Sequence, residues 1–468
     1  MSLKKSFLLF LYFSLISKAA WSLSLDDYLS QATQNNAGYL SDKINSDAAD
    51  VLSKKSTLLT TPNLFVDANT GHKKQNQASS LVRYSRVDTE NYSAGLEQNF
   101  SFGLRSKFYY NVNRTYYQGL TAGSSLPDSY QTNPVLSLEV PLWQDRFGAS
   151  IRASRDKAYN LQQANRFTSE FNAKTFEVDS QKTYWNLVAA RRVVEISQES
   201  LKNSEELFEN ANRKNRMNLG DKADVLQAKA DVESRKLQLQ KAQNEAKIAA
   251  RNFNQKRYIN SDEVNEELDD IDFNYLENLK INNMMPGDRI DIKAVGANAK
   301  ALVAGAKSEE ESNKPNLNLY GSYAYNGLET ARSKALGNSF NETGDEGYVG
   351  VKFSMPIAIG LQSDIRDAAR ANAAAARMSY RQQILNQERD WQNLVQNLSD
   401  YQENLRLARR VEELNKLKLT NEKGLLKSGR SSTYQVILFE QDYNQARINT
   451  IETAKQLLGL IAEQKFYN

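Results

Sequence analysis

Asp221 and Asp224, with Lys222 between them, are the candidate acid or base groups of this chain, and they stand alone. They follow the turn Asn218-Leu219-Gly220, with no clustered partner and no glycine-rich phosphate cradle around them, so acid–base or phosphoryl chemistry lacks its other groups. His72 is the only histidine and cysteine is absent. That removes most histidine-dependent catalysis, thiol nucleophiles, disulfides and thiolate metal sites. Asp262, Glu263, Glu266, Glu267, Asp269, Asp270 and Asp272 crowd the stretch from Ser261 to Asn283, but their spacing does not match a calcium loop. The stretch reads as a solvated connector. Formal charge is +4, and no segment concentrates Lys and Arg with aromatics as a nucleic-acid partner needs. The residues point to no enzyme, no metal and no cofactor.

The turn at 218–221 instead joins two helices. From Phe176 to Phe253 large apolar residues fall seven apart: Leu187, Val194, Leu201 and Phe208, then Val225, Val232, Leu239 and Phe253, with Ala246 between the last two. A seven-residue repeat keeps one narrow seam turned toward a partner helix. A second line is small: Ala190, Ser197, Ser204 and Ala211, then Ala228, Ala242 and Ala249. Gly220 is read as the left-handed residue of the turn. The unit is a long antiparallel helical hairpin over 148–258, its first helix roughly 100 Å long.

The N-terminus reads as an export signal, 1–22. Lys4 and Lys5 precede an apolar run from Phe7 to Ile16, too short to span a bilayer as a helix. Cleavage falls before Leu23 or after Ala19, and without cysteine the new N-terminus cannot be lipidated. No later stretch has the roughly eighteen apolar residues of a transmembrane helix, so any membrane span must be built from strands. Ser24-Leu25-Asp26-Asp27 begins a helix with a capping box, running to about Leu59. Then the period becomes two. Leu64, Val66 and Ala68 alternate with Phe65, Asp67 and Asn69. Ala94, Leu96, Gln98, Phe100 and Phe102 mark a strand turning near Gly103, followed by one through Phe108, Tyr110 and Val112. Leu136, Leu138 and Val140 alternate with Ser137 and Glu139 until Pro141, which has no amide for a ladder. Apolar-outward, polar-inward strands with aromatics near their ends suit an outer-membrane barrel wall; a soluble β-sandwich is the alternative.

After the acidic connector 259–283 the pattern starts again. Asp288 to Lys314 reads as helix, with Ala294, Ala297, Ala301 and Ala304 on one seam. Pro315-Asn316-Leu317 answers Pro62-Asn63-Leu64, and a strand with Val349, Val351 and Phe353 outward ends at Pro356 as the earlier one ends at Pro141. A second hairpin, 361–466, carries Ile384, Trp391, Leu398 and Leu405 seven apart and turns at Ser428-Gly429-Arg430, where Gly429 is matched with Gly220. The chain therefore reads as a tandem duplication: 23–283 with about four strands in 62–141, and 284–468 with two in 315–356. The first half carries an extra hairpin, 92–117.

This doubled order of helix, Pro-Asn-Leu strand, strand ending in proline and long hairpin resembles the TolC-like outer-membrane efflux channel family. The tip sequence Gly220-Asp221-Lys222-Ala223-Asp224-Val225-Leu226-Gln227-Ala228 is similar to that family's tip-and-return signature. The resemblance covers nearly the whole mature chain. It implies an α+β membrane protein of the Gram-negative outer membrane: a homotrimer whose strands close one β-barrel in outer-membrane lipid and whose helices form a periplasmic tunnel. It also implies docking of a periplasmic adaptor (membrane fusion) protein and an inner-membrane pump or ABC-type exporter at the tips, here Leu219, Gly220, Asp221, Ser428, Gly429 and Arg430. Asp224, Lys222 and Gln435 become candidates for the periplasmic aperture, Arg430 a partner for Asp224, and Pro141 and Pro356 mark strand-to-helix transitions. Some relatives place aspartates just after the second-tip glycine; Gln435 and Leu438 stand there here. Four strands in the first half, where relatives usually have two, imply either about eighteen strands per trimer rather than about twelve or a hairpin lying outside the lipid.

The expected function is a passive exit duct of a tripartite efflux pump or type I secretion system, with polar strand positions such as Glu139, Lys352, Asn316 and Asn318 facing a wet pore. A soluble periplasmic coiled-coil adaptor or adhesin-like protein is the alternative of a different class.

Overall fold

The computed structural model describes residues 22–74, 84–120, 127–340 and 344–467. The expected export signal, 1–22, lies outside the described residues except for Ser22. In chain order the elements begin with β1 (Ser22–Leu23), α1 (Leu25–Asn35), α2 (Ala37–Ser53), β2 (Asn63–Lys73), β3 (Arg86–Asn99), β4 (Arg105–Gln118) and β5 (Asp128–Pro141). Next come α3 (Ala149–Arg216), α4 (Lys222–Lys256), β6 (Glu267–Leu268), α5 (Phe273–Glu277) and α6 (Ile290–Ser312). The last are β7 (Asn316–Tyr325), β8 (Gly327–Glu329), α7 (Arg332–Gly337), β9 (Asp345–Ser354), α8 (Ile359–Lys427) and α9 (Thr433–Gln464). The chain divides into two compact units, and α2, α3, α6 and α8 contribute to both. Among the described residues, no helix is long and apolar enough to cross a membrane.

The unit formed by Asp47–Arg166 and Lys293–Gln382 holds the sheet. Its strands pair in the order β2-β3-β4-β5-β7-β9, all antiparallel, with β8 beside the far end of β5. The sheet is open, with β2 and β9 as its edges. The hairpin β3–β4 is longer than 92–117, because polar residues extend the ladder where apolar alternation has stopped. Phe100 and Phe102 belong to its turn rather than to a strand: the Gly103 amide donates to the Phe100 carbonyl at 2.9 Å, and Gly103 is left-handed (φ 98°). Pro141 ends β5 but not the hydrogen bonding. The Leu142 amide donates to the Leu317 carbonyl at 2.7 Å and that of Gln144 to Pro315 at 3.1 Å, since proline removes only its own donor. Asp145 then caps α3, accepting from the Ser150 amide at 2.6 Å.

The other unit, made of residues up to Ser46, Phe167–Ile292 and Gln383–Asn468, is helical. Ser24 caps α1 by accepting from the Asp27 amide at 3.2 Å, half of the expected capping box; the Asp27 carboxylate accepts from the Ser24 hydroxyl at 2.7 Å rather than from its amide. The expected continuous helix to Leu59 is broken at Asn36, whose side chain accepts from the amides of Gly38 and Tyr39 and so competes with the helix. Its core gathers Tyr28, Tyr184, Leu187, Phe253, Leu276, Trp391, Leu398 and Leu457. The Tyr28 and Phe253 rings stack at 4.1 Å, and the Tyr184 hydroxyl donates to the Leu23 carbonyl at 2.8 Å. Burial pushes both tyrosine hydroxyls well above their ordinary range.

Two expectations change here. The acidic connector is not merely solvated: Ile271 and Leu276 are buried, β6 pairs in parallel with β1, and Asp269 accepts from the Leu25 amide at 2.8 Å. Along α3 the large seam Val194, Leu201 and Phe208 is only half-buried. The small line Ser197, Ser204 and Ala211 is buried together with Ser200 and Leu207; Leu207 and Ala211 cluster with Ala228 on α4 near the turn, and Ser200 accepts from Asn444 on α9 at 2.9 Å.

Candidate functional site: helix tips and a two-faced sheet

Both long helices end in the same backbone motif. At the end of α3 the Leu219 amide donates to the Lys214 carbonyl at 2.8 Å and the Asn218 amide to Asn215 at 3.0 Å, with Asn218 left-handed (φ 57°). At the end of α8 the Arg430 amide donates to Leu425 at 2.9 Å and the Gly429 amide to Leu426 at 3.2 Å, with Gly429 left-handed (φ 71°). This is the Schellman closure, in which the left-handed residue lets two orphan carbonyls be satisfied. Gly429 therefore answers Asn218, not Gly220, whose φ is not positive. The expected pairing of the tips shifts by two residues: Gly220 aligns with Ser431, Asp221 with Ser432 and Asp224 with Gln435. Ser432 caps α9 by accepting from the Gln435 amide at 3.2 Å, whereas Asp221 occupies the same position on α4 without a side-chain cap.

Leu219 is 75% exposed and Met217 61%, an apolar pair at the first tip. Asp221, Lys222, Ser428, Gly429, Arg430 and Gln435 are exposed, and Asp224 is half-buried. The expected Arg430–Asp224 pair does not form within the chain; Ser431 instead donates to the Glu422 carboxylate. Leu207, Ala211, Ala228, Leu419, Val436 and Ile437 form an apolar knot close to the turns.

Close by lies an ionic cluster missing from the expected site residues. Glu440 on α9 is 2% exposed, with the Lys423 ammonium at 3.7 Å. Asp231 and Arg235 on α4 are equally buried and paired at 3.3 Å. The Glu440 oxygens accept no well-formed hydrogen bond, and burial pushes its carboxyl above the usual range against the pull of Lys423, Asn203 and Arg235. A signal existed in the sequence. Arg235 falls seven residues after Ala228 and seven before Ala242, at a small-seam position where a charge must find a buried partner.

The sheet has two chemically different faces. Leu64, Leu96, Phe108, Leu136 and Tyr323 lie in one cross-strand row, continued by Val66, Ala94 and Tyr110 on one side and by Leu138, Gly321 and Val349 on the other. Many are exposed: Leu64, Val66, Phe108, Val349 and Val351 among them. Toward the outer ends of the strands the same face turns polar, with Arg114 bridging Asp128 at 2.8 Å and Glu90 at 3.1 Å. At the opposite margin exposed Phe102, Trp143 and Phe147 gather. The other face is mixed rather than wholly polar, with a row of Phe65, Gly95, Tyr109, Val135 and Ala324 and beside it one of Glu97, Lys107, Ser137 and Ser322. Next to it, Glu139 accepts from Asn318 and from Arg105 at 3.3 Å, and Lys352 is opposite Asn318. Glu139 and Lys352 thus share the polar face, lining a groove of about 540 Å³. Pro141 is buried, and Pro356 lies exposed between β9 and α8.

Long helical hairpins together with an open antiparallel sheet, apolar on one face and polar on the other, define the fold of the TolC-like outer-membrane channels, and this chain has that fold. It is similar to the outer-membrane channel OprN, with 17% identity over 94% of this chain and 89% of that one and a TM-score of 0.67. It is also similar to the outer membrane protein VceC of Vibrio cholerae (13% identity, 94% of each chain, TM-score 0.65). The open-state MtrE outer membrane channel of Neisseria gonorrhoeae matches with 16% identity over 97% of this chain and 93% of that one (TM-score 0.64). No family model and no curated protein matches the chain.

Proposed function

We propose that this protein is a passive exit duct of the Gram-negative outer membrane, conducting solutes exported by an inner-membrane pump or ABC-type exporter through a periplasmic adaptor. The two-faced sheet carries this reading. From Leu136 to Val140 its exposed apolar belt runs roughly 14 Å along β5 at the rise of a strand, and Ala94, Tyr92 and Val112 carry it farther on the neighbouring strands, toward the apolar band of about 25 Å that such barrels present to lipid. Exposed aromatics at one margin and charges at the other fit the two membrane interfaces. Three copies close the barrel edge to edge, β2 of one against β9 of the next. The two halves of the chain are tandem repeats, each giving strands to the barrel and a hairpin to the tunnel. The exposed tips, with Leu219 and Arg430 at their ends, are the docking surface for the adaptor, and substrate choice rests with the pump.

The test is size-exclusion chromatography with light scattering in detergent, alongside gel migration with and without heating. A trimer that shifts on heating is expected. A monomer that stays soluble without detergent sinks the reading and favours a soluble periplasmic adaptor.

A further inference from the structure

We infer that the β3–β4 hairpin is itself lipid-facing barrel wall, so that each copy contributes six strands to a wide outer-membrane lumen. This rests on the exit-duct reading above.

The hairpin is built into the sheet, not laid over it. Its strands pair in unbroken register from Arg86 opposite Gln118 to Asn99 opposite Arg105. On one side it pairs with β2 along that strand's full length, and on the other with β5 from Arg105 opposite Glu139 to Tyr116 opposite Asp128. Its outward residues Tyr92, Ala94, Leu96, Phe108 and Val112 continue the apolar belt row by row, while Tyr110 on the same face bonds Ser339. Its other face pairs Ser93 with Asn111 and Glu97 with Lys107, with Gly95 and Tyr109 between them. A flap in water has no reason to match that alternation, because a one-residue slip would exchange its faces.

The turn is also pinned at the aromatic margin of the sheet. The Arg152 guanidinium donates to the Ser101 carbonyl at 2.9 Å. Gly103 and Gly148 approach so closely that a Cβ on Gly103 would stand 2.7 Å from the Gly148 amide nitrogen. Exposed Phe102 thereby joins Trp143 and Phe147 at one membrane interface.

With six alternating strands, β2 and β9 run in opposite directions, so edges of neighbouring copies meet antiparallel all round. Three copies give about eighteen strands, a number that leaves an open aqueous channel. The outer-membrane segment then imposes little size selection.

The absence of cysteine makes the test clean. Single cysteines are introduced at Leu96→Cys and Phe108→Cys (outward) and Ser93→Cys and Asn111→Cys (inward), with Leu136→Cys and Val351→Cys as outward controls on β5 and β9. Each is labelled with an environment-sensitive fluorophore, and the trimer is reconstituted in vesicles containing lipids brominated in the acyl chains. The outward hairpin positions are expected to lose fluorescence as fully as the controls, and the inward positions to keep theirs. Quenching at the controls but not at Leu96→Cys and Phe108→Cys overturns the inference alone and places the hairpin outside the lipid. No quenching at the controls overturns the exit-duct reading and this inference with it.

Discussion

At the scale of single residues, the tips turn on two left-handed positions. Asn218 and Gly429 close the same motif, and asparagine tolerates that conformation better than other residues with a Cβ. Gly429→Asn should therefore keep both assembly and transport. A Cβ at Gly429 meets nothing within 4 Å, so Gly429→Trp projects into open space at a backbone cost of about 1–2 kcal/mol. The expected outcome is an intact trimer in detergent with transport lost to blocked docking; loss of the trimer would make Gly429 a folding residue instead. Glu440 gives a pH dependence. Its carboxyl is raised by burial, so the folded state takes up a proton more readily than the unfolded one. The stability it contributes is present below the ordinary glutamate pKa and is lost as pH rises through the raised value. Glu440→Gln should melt at or above the wild-type temperature at pH 7.5, with the difference shrinking toward pH 4. A clear loss of stability in the glutamine variant at pH 7.5 would mean that the Lys423 pairing outweighs desolvation.

At the scale of elements, the helices bury one face and leave another without a partner. On α8, Leu407, Val411, Leu414 and Leu417 are all at least half exposed, spaced four, three and three apart along one stripe. On α4, Leu226, Leu237 and Ile248 recur every eleven residues, about three turns, so they too share a face. Apolar stripes on long helices are normally covered, and a neighbouring copy covers them in the proposed trimer. Val411→Asp with Leu414→Asp should shift the light-scattering mass from trimer to monomer while circular dichroism stays helical. Retention of the trimer would place the stripe against something other than a second copy.

At the scale of the whole molecule, the proposed duct would divide conduction and docking between separate parts of the chain. The sheet supplies apolar surface outward and polar surface inward, which needs only alternation and register. The tips need a fixed backbone shape, supplied by two Schellman closures over an apolar knot. The second task tolerates different side chains better than the first tolerates a slipped strand. Low identity to the channels of the same fold, 13–17% in the three compared, is consistent with selection on pattern rather than on particular residues.

Periodicity alone determined most of this. The heptads of Trp391, Leu398 and Leu405, the alternation from Leu136 to Val140 and the Ser24 cap were legible because helix and strand periods are local properties of the backbone. Glu139 and Lys352 could be assigned to a polar face for the same reason. Other features needed the tertiary structure because they depend on residues distant in sequence. Gly220 is the commoner left-handed residue type, yet Asn218 two residues before it takes that conformation, and only the hydrogen bonds back to Lys214 and Asn215 select between them. The contact of Glu440 with Lys423 joins two helices across a turn, and its shared surroundings with Arg235 join separate hairpins. The pairing of 86–118 with β2 and β5, on which its proposed place in the wall rests, needed the tertiary structure too, because register between strands is set by the faces they bury together, which no single strand encodes.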